Sequence, residues 1–426
     1  MFDWASITNH RPPATNLYVH FPFCRGKCSY CALHSRAGIS SAARESYVKG
    51  LLESLSVFGD SGDAGPARNQ QPATSNQPPA TNLLSTIYFG GGSPALCDLT
   101  PLAPAIVPLI GPDTEFTVEL HPLDVTREKL HELKFLGVSR ISMGVQSLDD
   151  DILRHMRRGY DFYTAERAFA LIKEHFDNAG IDLIVGYPGE TSALTPRHAR
   201  LAKWGLKHCS VYSLILEEKS ILGHLLSKSG ACPHGQTGTV PIANGDCPQL
   251  PDDETVMNRI SIISRFMEDI GLERYEISNY AAPGYECRHN LAVWRGEDYI
   301  GLGDGAHGRM GLTRTQNWLG PQTGQNSHSS DKKSKILRGL SPENGGLSPR
   351  IETVSREKDT VERKIFALRT RFGLDIADET WGQSPTAWGQ TLDGFVEDGL
   401  LTRTGTVYRL TERGTEVCDS ILAELV

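Results

Sequence analysis

The sequence predicts an α/β protein: a partial (β/α)6-type barrel followed by a small winged-helix-like helical domain. Two patterns predict it. Six short β-branched or aromatic runs alternate with stretches whose apolar residues fall at helical spacing, the signature of parallel strands joined by crossover helices. Beyond a polar tract near residue 320 the pattern changes to helices around one short hairpin. A doubly wound sheet would show the same alternation. The 426 residues have room for a barrel of about 250 with a small appendage, and the barrel is the expected form.

The expected strands are residues 17–21, 86–89, 116–120, 140–145, 181–185 and 210–215, with helices at 44–58, 127–135, 150–156 and 165–176. Three polar tracts interrupt them. Residues 59–82 (GDSGDAGPARNQQPATSNQPPATN) hold almost no apolar side chain and cannot offset their ordering entropy, so they read as an inserted disordered segment. A second insertion spans 227–253. A third tract, from about 320 to 350, has no period and marks a domain boundary. The chain therefore divides into a barrel over 1–316, a flexible polar linker over 317–354, and a carboxy-terminal domain over 355–426. In that last part 359–372 and 386–398 read as helices, 400–403 and 407–410 as a hairpin around Thr404 and Gly405, and Thr411 as the cap of a final helix.

Composition removes several function classes. With 43 Lys and Arg against 51 Asp and Glu, net −8, the chain lacks the basic footprint of a nucleic-acid or anionic-membrane protein. The winged-helix-like part has no basic recognition face either, so no nucleic-acid partner is expected. No stretch approaches the ~18 apolar residues of a membrane span, and the first twenty residues lack the pattern of a secretory signal. The expected location is the cytoplasm, with membrane contact only through a partner. Nine cysteines, an odd number in a long chain, do not read as a disulfide framework.

Three of those cysteines, Cys24, Cys28 and Cys31, follow the first strand in HFPFCRGKCSYCALHS. Three thiolates on one short loop can hold an iron–sulfur cluster or a zinc ion. Zinc sites favour C-x-x-C pairs with a fourth Cys or His, and only His20 and His34 lie near in sequence. A cubane cluster with three protein ligands leaves one iron open for something else. Gly90, Gly91, Gly92, Ser93 and Pro94 directly follow TIYF, where glycines let backbone approach a ligand. Glu119, Gln146 and Asp182 sit at or near the ends of later strands, and such residues converge on the mouth of a barrel.

The cysteine triplet, with Tyr30 just before its last member, resembles the signature of the radical S-adenosylmethionine (SAM) superfamily. The resemblance implies a [4Fe–4S] cluster on Cys24, Cys28 and Cys31, with SAM chelating the open iron and split there by an electron from the cluster. The segments YVHFPFC, TIYFGGGSP, RISMGVQSLDDDILRHMRR, IDLIVGYPGET, YEISNYAAPGYECRHN and GLGDGAHG narrow it further. They are similar to the family of oxygen-independent coproporphyrinogen III oxidase and its relatives, the HemW heme chaperones. By that resemblance Tyr18, Gly91, Gly92, Ser93 and Glu119 line SAM, and Gln146, Arg158 and Asp182 match positions that hold adenosyl or ribose groups. Ile215 and His307 align with weaker contact positions.

The oxidase carries a fourth cysteine two residues past the third, where this chain has Leu33. That difference points to the HemW group, whose heme-associated HNxxYW motif resembles His289 to Trp294 with Val293 in place of the tyrosine. His289 is thereby a candidate heme ligand, against a packed structural histidine, and Trp294 a residue that could pack on the macrocycle. His121 stands where the family has Asn before Pro and reads as a turn residue; Cys232 and Cys247 read as incidental. The expected function is a heme chaperone that binds the cluster, SAM and heme and passes heme to an acceptor protein, served by a flavodoxin- or ferredoxin-like electron donor. The alternative is oxidative decarboxylation of coproporphyrinogen III or another tetrapyrrole on the same scaffold.

Overall fold

The computed structural model describes residues 16–59, 83–190, 194–228, 250–316, 350–378 and 386–425. Six strands lie side by side in chain order: β1 Asn16–Phe21, β2 Leu84–Gly91, β3 Ile110–Leu120, β4 Arg140–Gln146, β5 Ala179–Val185 and β6 His208–Ser213. Every neighbouring pair is parallel. One face of this sheet carries Val19, Ile87, Phe89, Val118, Ile141 and Ile181, all fully buried against the helices. The alternate positions Tyr88, Glu119, Ser142 and Asp182 share the other face, where Tyr88 donates to Glu119 at 2.8 Å and Ser142 to Asp182 at 3.1 Å.

Helices α1 Ser41–Gly59, α2 Arg127–Phe135, α3 Asp150–His155 and α4 Phe162–His175 fall where apolar periodicity placed them. Side-chain oxygens of Thr126, Asp149 and Asp161 accept from the first-turn amides of α2, α3 and α4 and fix their starts. A fifth helix, α5 Asp253–Asp269, is capped by Asp252 and packs on β6. Its first residue lies inside the expected second insertion, most of which, like residues 60–82, Cys232 and Cys247, falls outside the described residues.

Beyond β6 the sheet gains the short antiparallel strands β7 Glu273–Arg274 and β8 Asn279–Ala281. At its other edge β9 Tyr299–Leu302 runs parallel to β1, followed by the antiparallel β10 His307–Met310, β11 Thr313–Gln316 and β12 Arg350–Thr353. Residues 350–353, expected in the linker, thus pair with β11 and close off backbone groups at the sheet edge. Among the described residues the sheet has twelve strands and stays open between β12 and β7, a partial barrel.

A second core, built on Leu368, Trp388, Leu392, Leu401, Tyr408 and Ile421, forms the carboxy-terminal part. Helices α6 Arg288–Trp294, α7 Arg356–Leu368 and α8 Thr386–Glu397 lead into it. A three-stranded sheet, β13 Leu374–Asp375 against β15 Val407–Leu410 against β14 Leu401–Thr404, supplies the wing, and Thr411 caps the helix after it. The helix expected over 359–372 starts three residues earlier, capped by Ser355, and stops at Leu368. Asp359 on α7 pairs with Arg309, Arg314 and Arg363, which ties this part to the sheet edge.

Candidate cofactor site at the carboxy-terminal end of the sheet

The cysteine loop leaves the end of β1 and is anchored at several points. The amides of Gly92 and Ser93 donate to the carbonyls of Phe21 and Phe23 at 2.7 and 2.6 Å, zipping the glycine loop onto its start. Arg25 pairs with buried Asp124, which also accepts from the Ser93 hydroxyl. Ser29 donates through its amide to Met156 at 3.2 Å and through its hydroxyl to His155 at 3.0 Å. At the far end His34 lies 3.1 Å from Asp304, and Arg36 pairs with the same carboxylate.

These anchors explain the glycines. Gly91 has φ +103°, and a Cβ there would come within 2.5 Å of the His20 ring; a Cβ on Gly92 would lie 2.4 Å from the Phe23 carbonyl oxygen. Glycine is required because the two loops touch.

Cys24, Cys28 and Cys31 are free and half-buried on this loop. Burial pushes the Cys24 and Cys31 thiols up, so a nearby cation is what would hold them as thiolates. Among the described residues no three His, Cys, Asp or Glu side chains converge as a set for a single metal ion. Three soft donors spread along one loop suit a polynuclear cluster, in which each thiolate takes its own iron.

Of the other expected residues, Arg158 reaches a cysteine, and the rest have the following neighbours. The Glu119 carboxylate accepts from the Gly91 amide at 3.0 Å and the Tyr88 hydroxyl at 2.8 Å. Burial, with Asp182 adding to it, raises Glu119 to about 7, and burial raises Asp182 as well. Tyr18 pairs in register with Tyr88 and lies 3.0 Å from His20 Nδ1. Gln146 ends β4 with φ 71°, beside an irregularity in the β4–β5 register.

Arg158 is buried and donates to the Gly144 carbonyl at 2.6 Å, to the Tyr160 hydroxyl at 3.1 Å and to Cys28 Sγ at 3.3 Å. The cysteines, Gly91, Gly92, Ser93, Glu119 and Gln146 lie at the ends of β1 to β4 or on the loops that follow, whereas Tyr18 and Asp182 lie within β1 and β5 and Arg158 lies between α3 and α4. Ser93 is placed there with its hydroxyl already committed to Asp124.

Other candidates lie elsewhere. His289, on α6, is packed beside Thr86 near the start of β2, with Nδ1 2.7 Å from the Thr86 hydroxyl and its amide donating to Glu115 at 3.2 Å. Only 5% of it is exposed, and burial lowers its pKa to about 4, with Arg140 adding to the effect. Heme ligation through His289 would require α6 to open. Trp294 packs edge-on against Phe366 and under Arg369. His121 caps the turn after β3 by accepting from the Leu123 amide at 3.2 Å. Ile215 is 74% exposed just past β6, and His307 sits on β10.

Three residues were not singled out from the sequence: Tyr88, Asp124 and Asp304. Tyr88 and Asp304 lie within segments already recognised, TIYFGGGSP and GLGDGAHG, whereas Asp124 had no local signal.

Residues 76–202 match the Radical SAM superfamily. Over 96% of this chain and 99% of the relative, the sequence is 30% identical to the heme chaperone HemW of Bacillus subtilis. It is also 30% identical to the heme chaperone HemW of Escherichia coli, over 96% of this chain and 97% of that one. Among solved structures, coproporphyrinogen III oxidase (HemN) from Escherichia coli, a radical SAM enzyme, superposes with a TM-score of 0.72 at 18% identity, covering 99% of this chain and 92% of that one. That likeness establishes the fold. Membership of the superfamily implies a [4Fe–4S] cluster and SAM. With full-length relatives at this identity and the cysteine, glycine and carboxylate loops at one end of a parallel sheet, the chain belongs to the HemW heme chaperone family of the radical SAM superfamily.

Proposed function

We propose that this chain is a heme chaperone: it holds a [4Fe–4S] cluster on Cys24, Cys28 and Cys31, binds SAM beside it, and carries heme to an acceptor protein. The observation that carries the reading is full-length identity of 27–30% to relatives named heme chaperone HemW. Leu33, exposed where the oxidase has its fourth cysteine, agrees with it. The seven free cysteines among the described residues suit a reducing compartment, the cytoplasm.

When bound, the cluster supplies an open iron and a low-potential electron drawn from a flavodoxin- or ferredoxin-like donor. Glu119 offers a carboxylate to the ammonium of SAM, and Gly91 and Gly92 let backbone approach it. Tyr18 walls the same side. Asp182 and Gln146 offer hydrogen bonds to ribose hydroxyls. Ser93, its hydroxyl held by Asp124, contributes the shape of the loop. Arg158 would set a fixed positive charge at Cys28 as well as meet a carboxylate.

The test is transfer. Cluster-reconstituted full chain, loaded anaerobically with hemin, is mixed with an apo-heme protein, and heme absorbance is followed in each after separation. Stoichiometric loading followed by movement of heme to the acceptor is expected. A chain that takes up no hemin, or never releases it, contradicts the proposal.

A further inference from the structure

The turn after α3 buries a cation that no carboxylate pairs with. Arg157 and Gly159, with φ 60° and 75°, reverse the chain on either side of Arg158, whose side chain is buried. Its Nε donates to the Tyr160 hydroxyl at 3.1 Å and its Nη2 to the Gly144 carbonyl at 2.6 Å. Nη1 donates to Cys28 Sγ at 3.3 Å, with the Tyr30 hydroxyl 3.5 Å away. Among the described residues no Asp or Glu side chain pairs with this guanidinium.

Two supports hold it in place. The Tyr160 hydroxyl donates in turn to the Val145 carbonyl at 2.7 Å, and the Tyr160 ring centre lies 5.4 Å from the guanidinium carbon. Gly144 leaves the room: a Cβ there would stand 3.4 Å from Nη2 and 2.6 Å from the Gln146 side-chain nitrogen. All three guanidinium nitrogens are engaged by protein atoms, and the parallel two-bond grip of a carboxylate would displace one of these partners.

A guanidinium withdrawn from water needs an opposing charge. The two phenols and the Gly144 carbonyl are neutral near pH 7, and Asp182 feels the Arg158 charge only from beyond pairing distance. The group in contact that can become an anion is the Cys28 sulfur, which is a thiolate once it binds iron.

We propose that Arg158 tunes the cluster: its Nη1–H bonds to the iron-bound Cys28 sulfur, and its fixed charge favours the reduced state over the oxidised one. One electron taken up by the cluster adds one negative charge beside the guanidinium. The contact therefore raises the reduction potential and eases electron uptake from a flavodoxin- or ferredoxin-like donor. The proposal rests on the reading of Cys24, Cys28 and Cys31 as cluster ligands, and it gives Arg158 a role that needs no bound SAM.

The test is an anaerobic potentiometric titration of the cluster-reconstituted full chain without SAM, followed by electron paramagnetic resonance, in wild type, Arg158→Gln, Arg158→Lys and Arg154→Gln. Arg154 is exposed on α3 and removes the same charge at a distance. Arg158→Gln is expected to make the reduced-to-oxidised ratio at a fixed potential about ten-fold smaller, a downward shift of about 59 mV for one electron. Arg158→Lys, which keeps the charge and loses the fork, is expected to fall between the two, and Arg154→Gln to match wild type. A wild-type potential in a cluster-loaded Arg158→Gln chain overturns the proposal, as does an equal shift in Arg154→Gln. Should Arg158→Gln take up no cluster, wild-type chain carrying heavy nitrogen in its arginine guanidiniums decides. Pulsed paramagnetic resonance of its reduced cluster is expected to show a weak coupling to that nitrogen, and absence of the coupling overturns the contact. Wild-type chain that takes up no iron defeats the ligand reading itself, which separates the two failures.

Discussion

Glu119 carries a charge that changes with pH near neutrality. Burial and the neighbouring Asp182 hold its carboxyl near 7, so around neutrality it is only partly ionised. An ammonium such as that of SAM meets its anionic partner only above that point. SAM affinity is expected to rise with pH through about 7, by up to about ten-fold per unit below it. Glu119→Gln should abolish that dependence, which calorimetric titration at pH 6 and 8 would show. Stability follows the opposite course. A carboxyl raised above its unfolded value near 4.3 contributes stability that is present at low pH and lost as pH rises through about 7.

Each of Cys24→Ala, Cys28→Ala and Cys31→Ala is expected to abolish cluster absorbance after reconstitution, and full iron retention in any of them would remove that residue as a ligand. The cysteines and Gly91 were singled out on short motifs, and Glu119 on its place at the end of a strand. The contact of Arg158 with Cys28 was not. It depends on the Gly144 carbonyl, the Tyr160 hydroxyl and the turn at Gln146, which only the folded chain brings together.

At the scale of elements, the cysteine loop owes its position to partners far along the chain. Asp304, 2% exposed, holds both His34 and Arg36. Asp304→Ala should cost about 1–3 kcal/mol, the usual penalty for stranding buried hydrogen-bonding partners, and should lower the iron retained per chain. Thermal unfolding and iron analysis check the two parts, and an unchanged iron content would mean that the loop stands without this tether. The parallel strands and their helices were readable because each buries a periodic apolar face. β9 to β12 were not, since they are four residues each, too short to show a period, and β10 to β12 are largely polar.

For the whole molecule, the joint between sheet and carboxy-terminal domain is electrostatic as well as apolar. Arg309, 4% exposed, pairs with Asp359, with Glu362 farther away at 3.8 Å. Asp359→Ala should cost on the order of 3 kcal/mol by leaving a buried guanidinium poorly compensated. A melting temperature equal to wild type would show the pair to be dispensable. Composition marked the polar tracts and the turn at Thr404 and Gly405 marked the hairpin of the small domain, whereas the pairing of Arg309 with Asp359, 50 positions along the chain, had no local signal.

The most direct test of heme carriage against tetrapyrrole decarboxylation is anaerobic turnover. Cluster-reconstituted chain is incubated with SAM, a low-potential reductant and coproporphyrinogen III, the products are analysed by mass spectrometry, and hemin binding is measured on the same preparation. Stoichiometric hemin binding with no decarboxylated product is the expected result; multiple-turnover formation of protoporphyrinogen would contradict it.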